Sequence, residues 1–178
     1  QQRCVDYTEY NEGIYVGYRY FQTAGAPVSY PFGYGKSYTT FEYSKPVVKA
    51  TDKGFTATIT VKNTGAVAGK ESVQLYVAAP AGGLEKPAFE LKGFAKTKEL
   101  APGESQTLTI DVCRYTLASF NEANSAWETA AGTYKVMFGA NAADIRGTGV
   151  YKLKKAESWK VNNVLAPAQL INELTLQK

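Results

Sequence analysis

The chain has 178 residues, 44% of them hydrophobic, and a net charge of +4 from 20 Lys and Arg against 16 Asp and Glu. That length suits one compact domain with flanking segments, and the apolar content supports a core without metals or cross-links, which excludes whole-chain disorder. Histidine is absent, so a histidine triad, a histidine metal site and a histidine proton shuttle are all excluded within these residues.

Residues 1–37 open without a signal-peptide core and without an initiating Met, as expected of a chain that begins inside a longer gene product. Tyr10, Tyr15, Tyr18, Tyr20, Tyr30 and Tyr34 crowd this stretch. Between Glu12 and Phe21 a helical reading places Ile14, Tyr18 and Phe21 on one stripe. Gly13 and Gly17 each weaken such a helix by about 1 kcal/mol relative to Ala. A helix so short is marginal alone and is expected to pack against something else. Pro31-Phe-Gly-Tyr-Gly35 reads as a rigid turn, because proline fixes φ and glycine admits positive φ. Tyr38 to Tyr43 is the first extended segment.

The middle of the chain alternates with a period of two. Phe55, Ala57, Ile59 and Val61 are predicted to face inward, and Thr56, Thr58, Thr60 and Lys62 outward. Asn63-Thr-Gly65 is a turn. Val73, Leu75 and Val77 are the inward set of the next strand, with Ser72, Gln74 and Tyr76 outward. A glycine-rich loop runs from Pro80 to Leu84, and Pro87 prolongs it. A strand follows around Leu91 to Leu100, then a turn at Ala101-Pro-Gly-Glu104, then a strand with Leu108, Ile110 and Val112 inward. After a polar loop at Asn121 to Ser125 come Tyr134, Val136 and Phe138, and finally Gly149 to Lys154. About seven strands with no crossover helix predict an all-β sandwich or small barrel and argue against a parallel α/β fold.

Cys4 and Cys113 match no metal-ligand spacing and are expected to remain unpaired. Lys152, Lys154, Lys155 and Lys160 read as a solvated strand end rather than the dense patch that nucleic acid needs. No run of 18 apolar residues provides a membrane helix. Neither a nucleic-acid nor a membrane partner is expected, and no cofactor or metal. The tail from Ser158 is apolar without strand alternation; Pro167 interrupts it, and a short helix is expected over Ala168 to Leu176.

Two ordered stretches carry a resemblance. Glu12-Gly-Ile-Tyr-Val-Gly-Tyr-Arg-Tyr-Phe21 followed by Tyr30-Pro-Phe-Gly-Tyr-Gly-Lys-Ser-Tyr-Thr-Thr-Phe41 resembles a motif pair of glycoside hydrolase family 3, which contains β-glucosidases and β-xylosidases. Val61-Lys-Asn-Thr-Gly65 and Ala68-Gly-Lys-Glu-Ser-Val-Gln-Leu-Tyr-Val77 resemble the opening of that family's fibronectin type III-like domain. Leu91-Lys-Gly-Phe94, Leu100-Ala-Pro-Gly-Glu104, Gly132-Thr-Tyr134 and Asp144-Ile-Arg146 resemble its later landmarks. The resemblance implies a fibronectin type III or immunoglobulin-like β-sandwich over residues 38–156. It makes residues 1–37 the end of an (α/β)6 domain with its connector, and residues 157–178 a linker or docking tail. The partners it implies are the catalytic barrel and (α/β)6 domains of the same enzyme, with a β-linked saccharide as the ligand class. The chain falls either at the end of such an enzyme or, in a rearranged domain order, in its middle.

Retaining glycoside hydrolysis needs two carboxyl groups about 5–5.5 Å apart. The resemblance places the nucleophilic Asp on a barrel that this sequence lacks, in a Ser-Asp-Trp-like motif that is absent here, and the acid/base Glu upstream. No catalytic residue is therefore expected in the chain. Glu12 reads as a helix-start residue or a partner for Arg19, and Asp111, Glu122 and Asp144 as surface or turn groups. Tyr34, Lys36, Tyr76 and Trp127 are the candidates for contacts at an active-site rim or with sugar, since sugar sites use rings against apolar pyranose faces. A self-standing carbohydrate-binding or surface-interaction module is the alternative reading.

Overall fold

The fold is described from a computed structural model over Thr8 and residues 10–176. The period-two segments become strands. In chain order these are β1 Phe41–Tyr43, β2 Val47–Thr51, β3 Gly54–Asn63, β4 Ser72–Ala78, β5 Glu90–Lys96 and β6 Ser105–Cys113. After a 3-10 turn over Arg114–Leu117 come β7 Ser119–Asn121, β8 Ala126–Thr129, β9 Gly132–Asn141, β10 Asp144–Leu153 and β11 Glu157–Lys160. In the first sheet β3 is central: β1 and β2 lie along one side of it and β6 along the other. The second sheet runs β10-β9-β4-β5, and a smaller third sheet runs β11-β8-β7. All the pairings are antiparallel.

The core between the first two sheets is built from the predicted inward residues. Phe55, Ala57, Ile59 and Val61 of β3 and Leu108, Ile110 and Val112 of β6 meet Val73, Leu75 and Val77 of β4 and Tyr134, Val136 and Phe138 of β9. Burying each such side chain contributes about 1.5–3 kcal/mol, which is why strict alternation reveals these strands. Where β9 begins, the Tyr134 hydroxyl donates to the Ala130 carbonyl at 2.8 Å, the corner contact that ties a sandwich strand back to its preceding turn. The all-β sandwich expected from the sequence is thus the fold observed. Its eleven strands, among the described residues, exceed the seven or so counted from the pattern. The additional ones, β2, β7, β8 and β11, are short and none buries alternate side chains, so they carry no apolar alternation for a period to detect.

A second packed layer covers the outer face of the second sheet. Gln74 and Tyr76, read as outward residues of β4, are buried there. They are covered by the N-terminal segment. Its only helix among the described residues, α1 Tyr18–Ala24, begins after Gly17 rather than at Glu12, because Gly17 has φ 60° and cannot continue a right-handed helix. Tyr18 stacks on Phe32 with centroids 4.6 Å apart and meets Tyr76 edge-on at 6.1 Å, while Phe89 closes on Tyr76 at 5.2 Å. Polar contacts fix the seat. The Leu91 amide donates to the Tyr18 hydroxyl, the Ala88 amide to Thr23 Oγ1, and Arg19 pairs with Glu90 at 3.2 Å. Glu12 is thus not the partner of Arg19. The expected turn forms at Pro31 to Gly35, with the Tyr34 amide donating to the Pro31 carbonyl. At Gly33, φ is 79° and a Cβ would fall 2.2 Å from Gln74 Oε1, so only glycine lets this turn lie on β4.

Residues 161–176 carry no helix or strand, so the helix expected over Ala168 to Leu176 does not form. The end of this segment returns to the N-terminal one: the Leu174 amide donates to the Asn11 carbonyl at 2.6 Å. No described helix is long and apolar enough to cross a membrane. Cys113 is exposed and free; Cys4 lies outside the described residues, as does Glu9.

Candidate functional site

Two clefts collect the chain's chemistry. The first lies at the end of the sandwich where the Pro31–Gly35 turn meets β1, β4 and β10, and encloses about 590 Å³. Tyr34 and Lys36 are on its wall, both exposed, with Tyr34 at 45%. The floor is a charged network. Arg146 holds Asp144 Oδ2 at 2.7 Å and Glu71 Oε1 at 3.4 Å, and its guanidinium lies 5.0 Å from the centre of the Tyr43 ring. The Tyr43 hydroxyl donates to Glu71 Oε1 at 2.8 Å. Burial pushes the Glu71 carboxyl above its usual range, while the Tyr43 bond and the Arg146 charge pull the other way. Burial likewise raises the Tyr43 phenol, helped by the neighbouring Glu71 charge. Both acids of the cleft share one guanidinium. The sequence reading did not single out Glu71; only the sandwich brings it to Arg146, 75 positions away.

The remaining landmark residues converge beside this cleft, and they hold one another. Asn63 is fully buried. Its Nδ2 donates to the carbonyls of Val67 and Leu100, each at 2.8 Å. Its Oδ1 accepts from the Thr39 hydroxyl at 2.7 Å and the Gly65 amide at 3.0 Å. Its main chain pairs with Gly103 and Glu104, and Gly69 pairs with Leu100. Gln74 donates to the Gly33 carbonyl at 3.2 Å and to the Ala140 carbonyl at 2.9 Å. The motif residues therefore join the connector to the sandwich; their chemistry is mutual hydrogen bonding.

The second cleft, about 680 Å³, lies between the third sheet and the edge formed by α1 and β5. Trp127 lines it with Phe120 and Tyr115. Of the four sequence candidates, Tyr34 and Lys36 share the first cleft and Trp127 lies in the second. Tyr76 is in neither: at 0% exposure, with its hydroxyl donating to Gln74, it has no face to offer a sugar. Of the other acids, Asp111 accepts from Thr56 across the sheet and Glu122 lines the second cleft. Among the described residues no group of His, Cys, Asp or Glu is placed to hold a metal.

Residues 71–142 match the family model for the fibronectin type III-like domain. β-Glucosidase A of Butyrivibrio fibrisolvens is 42% identical over 93% of this chain and 23% of its own length. β-Glucosidase BoGH3A of Bacteroides ovatus is 41% identical over 81% of this chain and 20% of its own. Among solved structures, β-glucosidase 3B of Thermotoga neapolitana in complex with glucose superposes with a TM-score of 0.80 at 42% identity, over 83% of this chain and 20% of that one. The β-glucosidase of Kluyveromyces marxianus in complex with glucose gives 0.79 at 42%, over 83% and 18%. The chain spans about a fifth of the length of the curated relatives it matches. The chain thus holds a fibronectin type III-like domain that matches glycoside hydrolase family 3 β-glucosidases over most of its own length and only about a fifth of theirs.

Proposed function

We propose that the chain is the non-catalytic structural domain of a family 3-like β-glycosidase that removes terminal non-reducing β-linked sugars, and that it stabilises and positions that enzyme's catalytic barrel and (α/β)6 domains. One observation carries the reading: the connector is fastened to the sandwich by α1, by the Pro31–Gly35 turn and by Asn63, so that the two form one packed unit. In this reading residues 1–37 finish the (α/β)6 domain, 38–156 form the sandwich and 157–178 form a docking tail entered through β11. The exposed apolar side chains of Val16, Phe21 and Val28, and of Val164, Leu165 and Leu170, are surfaces for those neighbours. Tyr34 and Lys36 sit at the rim where the sandwich approaches the active site, whose ligand is a β-linked saccharide. Purified alone, the chain is expected to release no p-nitrophenol from aryl β-glucosides or β-xylosides. Robust turnover by the folded chain would refute the proposal.

A further inference from the structure

The third sheet sets three large rings in a row. Phe120 of β7 pairs directly with Trp127 of β8, and Trp127 pairs directly with Trp159 of β11. Residues directly opposite in antiparallel strands point to the same face, so the row lies on one side of the sheet. Tyr115, from the 3-10 turn, fits against it. Ring centroids are 5.6 Å apart for Phe120 and Trp127, 5.9 Å for Tyr115 and Trp127, and 5.3 Å for Tyr115 and Trp159. The neighbours tilt 57° and 52° to Trp127, so they brace its indole rather than lie parallel with it. A core would enclose such rings, yet Phe120 is 38% and Tyr115 46% exposed.

The opposite wall is charged and rigid. Glu90 is held between Arg19 at 3.2 Å and Lys92 at 3.1 Å, and the Lys92 side chain is only 13% exposed. Glu122 adds a further carboxylate, with no side-chain hydrogen bond or ion pair among the described residues. Fixed polar groups lose little freedom on binding, which favours a ligand that needs hydrogen bonds. Four carboxylates line the cleft, Glu85, Glu90, Glu122 and Glu173, against Arg19 and Lys92, which disfavours an anion, and a wholly apolar ligand would leave the charged wall unmatched. A pyranose fits both walls: its C–H face is apolar and its equatorial hydroxyls donate and accept. The volume lies within the ordinary range for small-molecule sites, about 300–1,000 Å³.

We propose that this cleft binds a β-linked oligosaccharide, with Trp127 as the ring beneath a pyranose and Arg19, Glu90 and Lys92 as hydrogen-bonding partners of its hydroxyls. The choice of β-linked sugar rests on the function proposed above; the site itself rests on this chain's cleft and lies apart from the rim residues Tyr34 and Lys36. The chain's two tryptophans, Trp127 and Trp159, both belong to the row, so intrinsic fluorescence reads the site directly. Titration of the full chain with cellotetraose and with xylotetraose is expected to give a saturable change with at least one of them, and none with sorbitol. Trp159→Phe is expected to keep both binding and signal. Trp127→Ala is expected to abolish binding measured by calorimetry. Because Trp127→Ala can disturb the small sheet, Lys92→Met is the second variant; with native circular dichroism it is expected to bind at least tenfold more weakly, a loss of about 1.4 kcal/mol. Absence of saturable binding by the folded chain, or binding unchanged in Lys92→Met and Trp127→Ala, overturns the site. Turnover of aryl glycosides by the chain tests the accessory role separately, so failure of one reading does not mimic failure of the other.

Discussion

Replacing Asn63 by alanine tests how the connector is fastened to the sandwich. The side chain satisfies the Thr39 hydroxyl, the Gly65 amide and the carbonyls of Val67 and Leu100. Thr39 is buried, so in Asn63→Ala its hydroxyl keeps neither partner nor water, which costs about 1–3 kcal/mol. The buried Leu100 carbonyl keeps the Gly69 amide and loses one of its two bonds, about 0.5–1.5 kcal/mol. Val67 is exposed and Gly65 only half-buried, so their groups recover bonds to solvent and add about 0.5 kcal/mol each. The expected loss is about 2.5–5.5 kcal/mol, a large part of the roughly 5–15 kcal/mol that holds a domain folded. At about 2–4 °C per kcal/mol for a domain of this size, the melting temperature falls by roughly 10 °C. Urea unfolding measures the loss directly, with an unchanged m-value showing that the folded and unfolded states are otherwise the same. Asn63→Asp sharpens the test. It keeps the acceptor but turns a carboxylate toward two carbonyls, which raises that acid's pKa in the folded state. The folded state then binds the extra proton, so this variant regains stability as pH falls through the carboxylate range, while Asn63→Ala gains nothing comparable. A loss below about 1 kcal/mol for Asn63→Ala would refute the account of these motif residues as a fastening.

Further predictions concern other contacts. Tyr134→Phe removes the bond to Ala130 while keeping the ring, and is expected to cost about 1–1.5 kcal/mol by the same urea assay. Gly54→Ala would place a Cβ 2.0 Å from the Val112 carbonyl oxygen, so β3 and β6 must separate there; a loss of at least about 2 kcal/mol is expected. Gly33→Ala strains the turn on Gln74, and hydrogen exchange is expected to speed up in α1 and the Pro31–Gly35 turn before it does in β3. The Glu71 carboxyl is raised in the folded state chiefly by burial, so its proton favours folding. Its contribution is full below the ordinary carboxylate range and is lost as pH rises through the raised value. Unfolding measured across that window is expected to show this slope in the native chain and a flatter one in Glu71→Gln.

Much of the sandwich is legible in the residue order. β3, β4, β6 and β9 each bury alternate side chains in one core, and the apolar residues that alternate in the sequence are the ones that meet there. The landmark motifs likewise announce the fibronectin type III-like family, because turns such as Asn63-Thr-Gly65 have few chemical solutions. Periodicity fails where burial comes from outside the strand. Gln74 and Tyr76 alternate outward from the main core, yet α1 and Phe89 cover them. A local pattern records which face of a strand differs from the other; it does not record that a distant segment will lie on the second face. The candidate sites divide the same way. The ring of Trp127 and the exposure of Tyr34 and Lys36 were suggested by residue type, whereas the removal of Tyr76 from solvent, the clamp of Arg146 on Glu71 and the row of Phe120, Trp127 and Trp159 were decided by tertiary structure. Cross-strand partners lie far apart in the chain, and their meeting depends on a register that only the whole packed sheet determines.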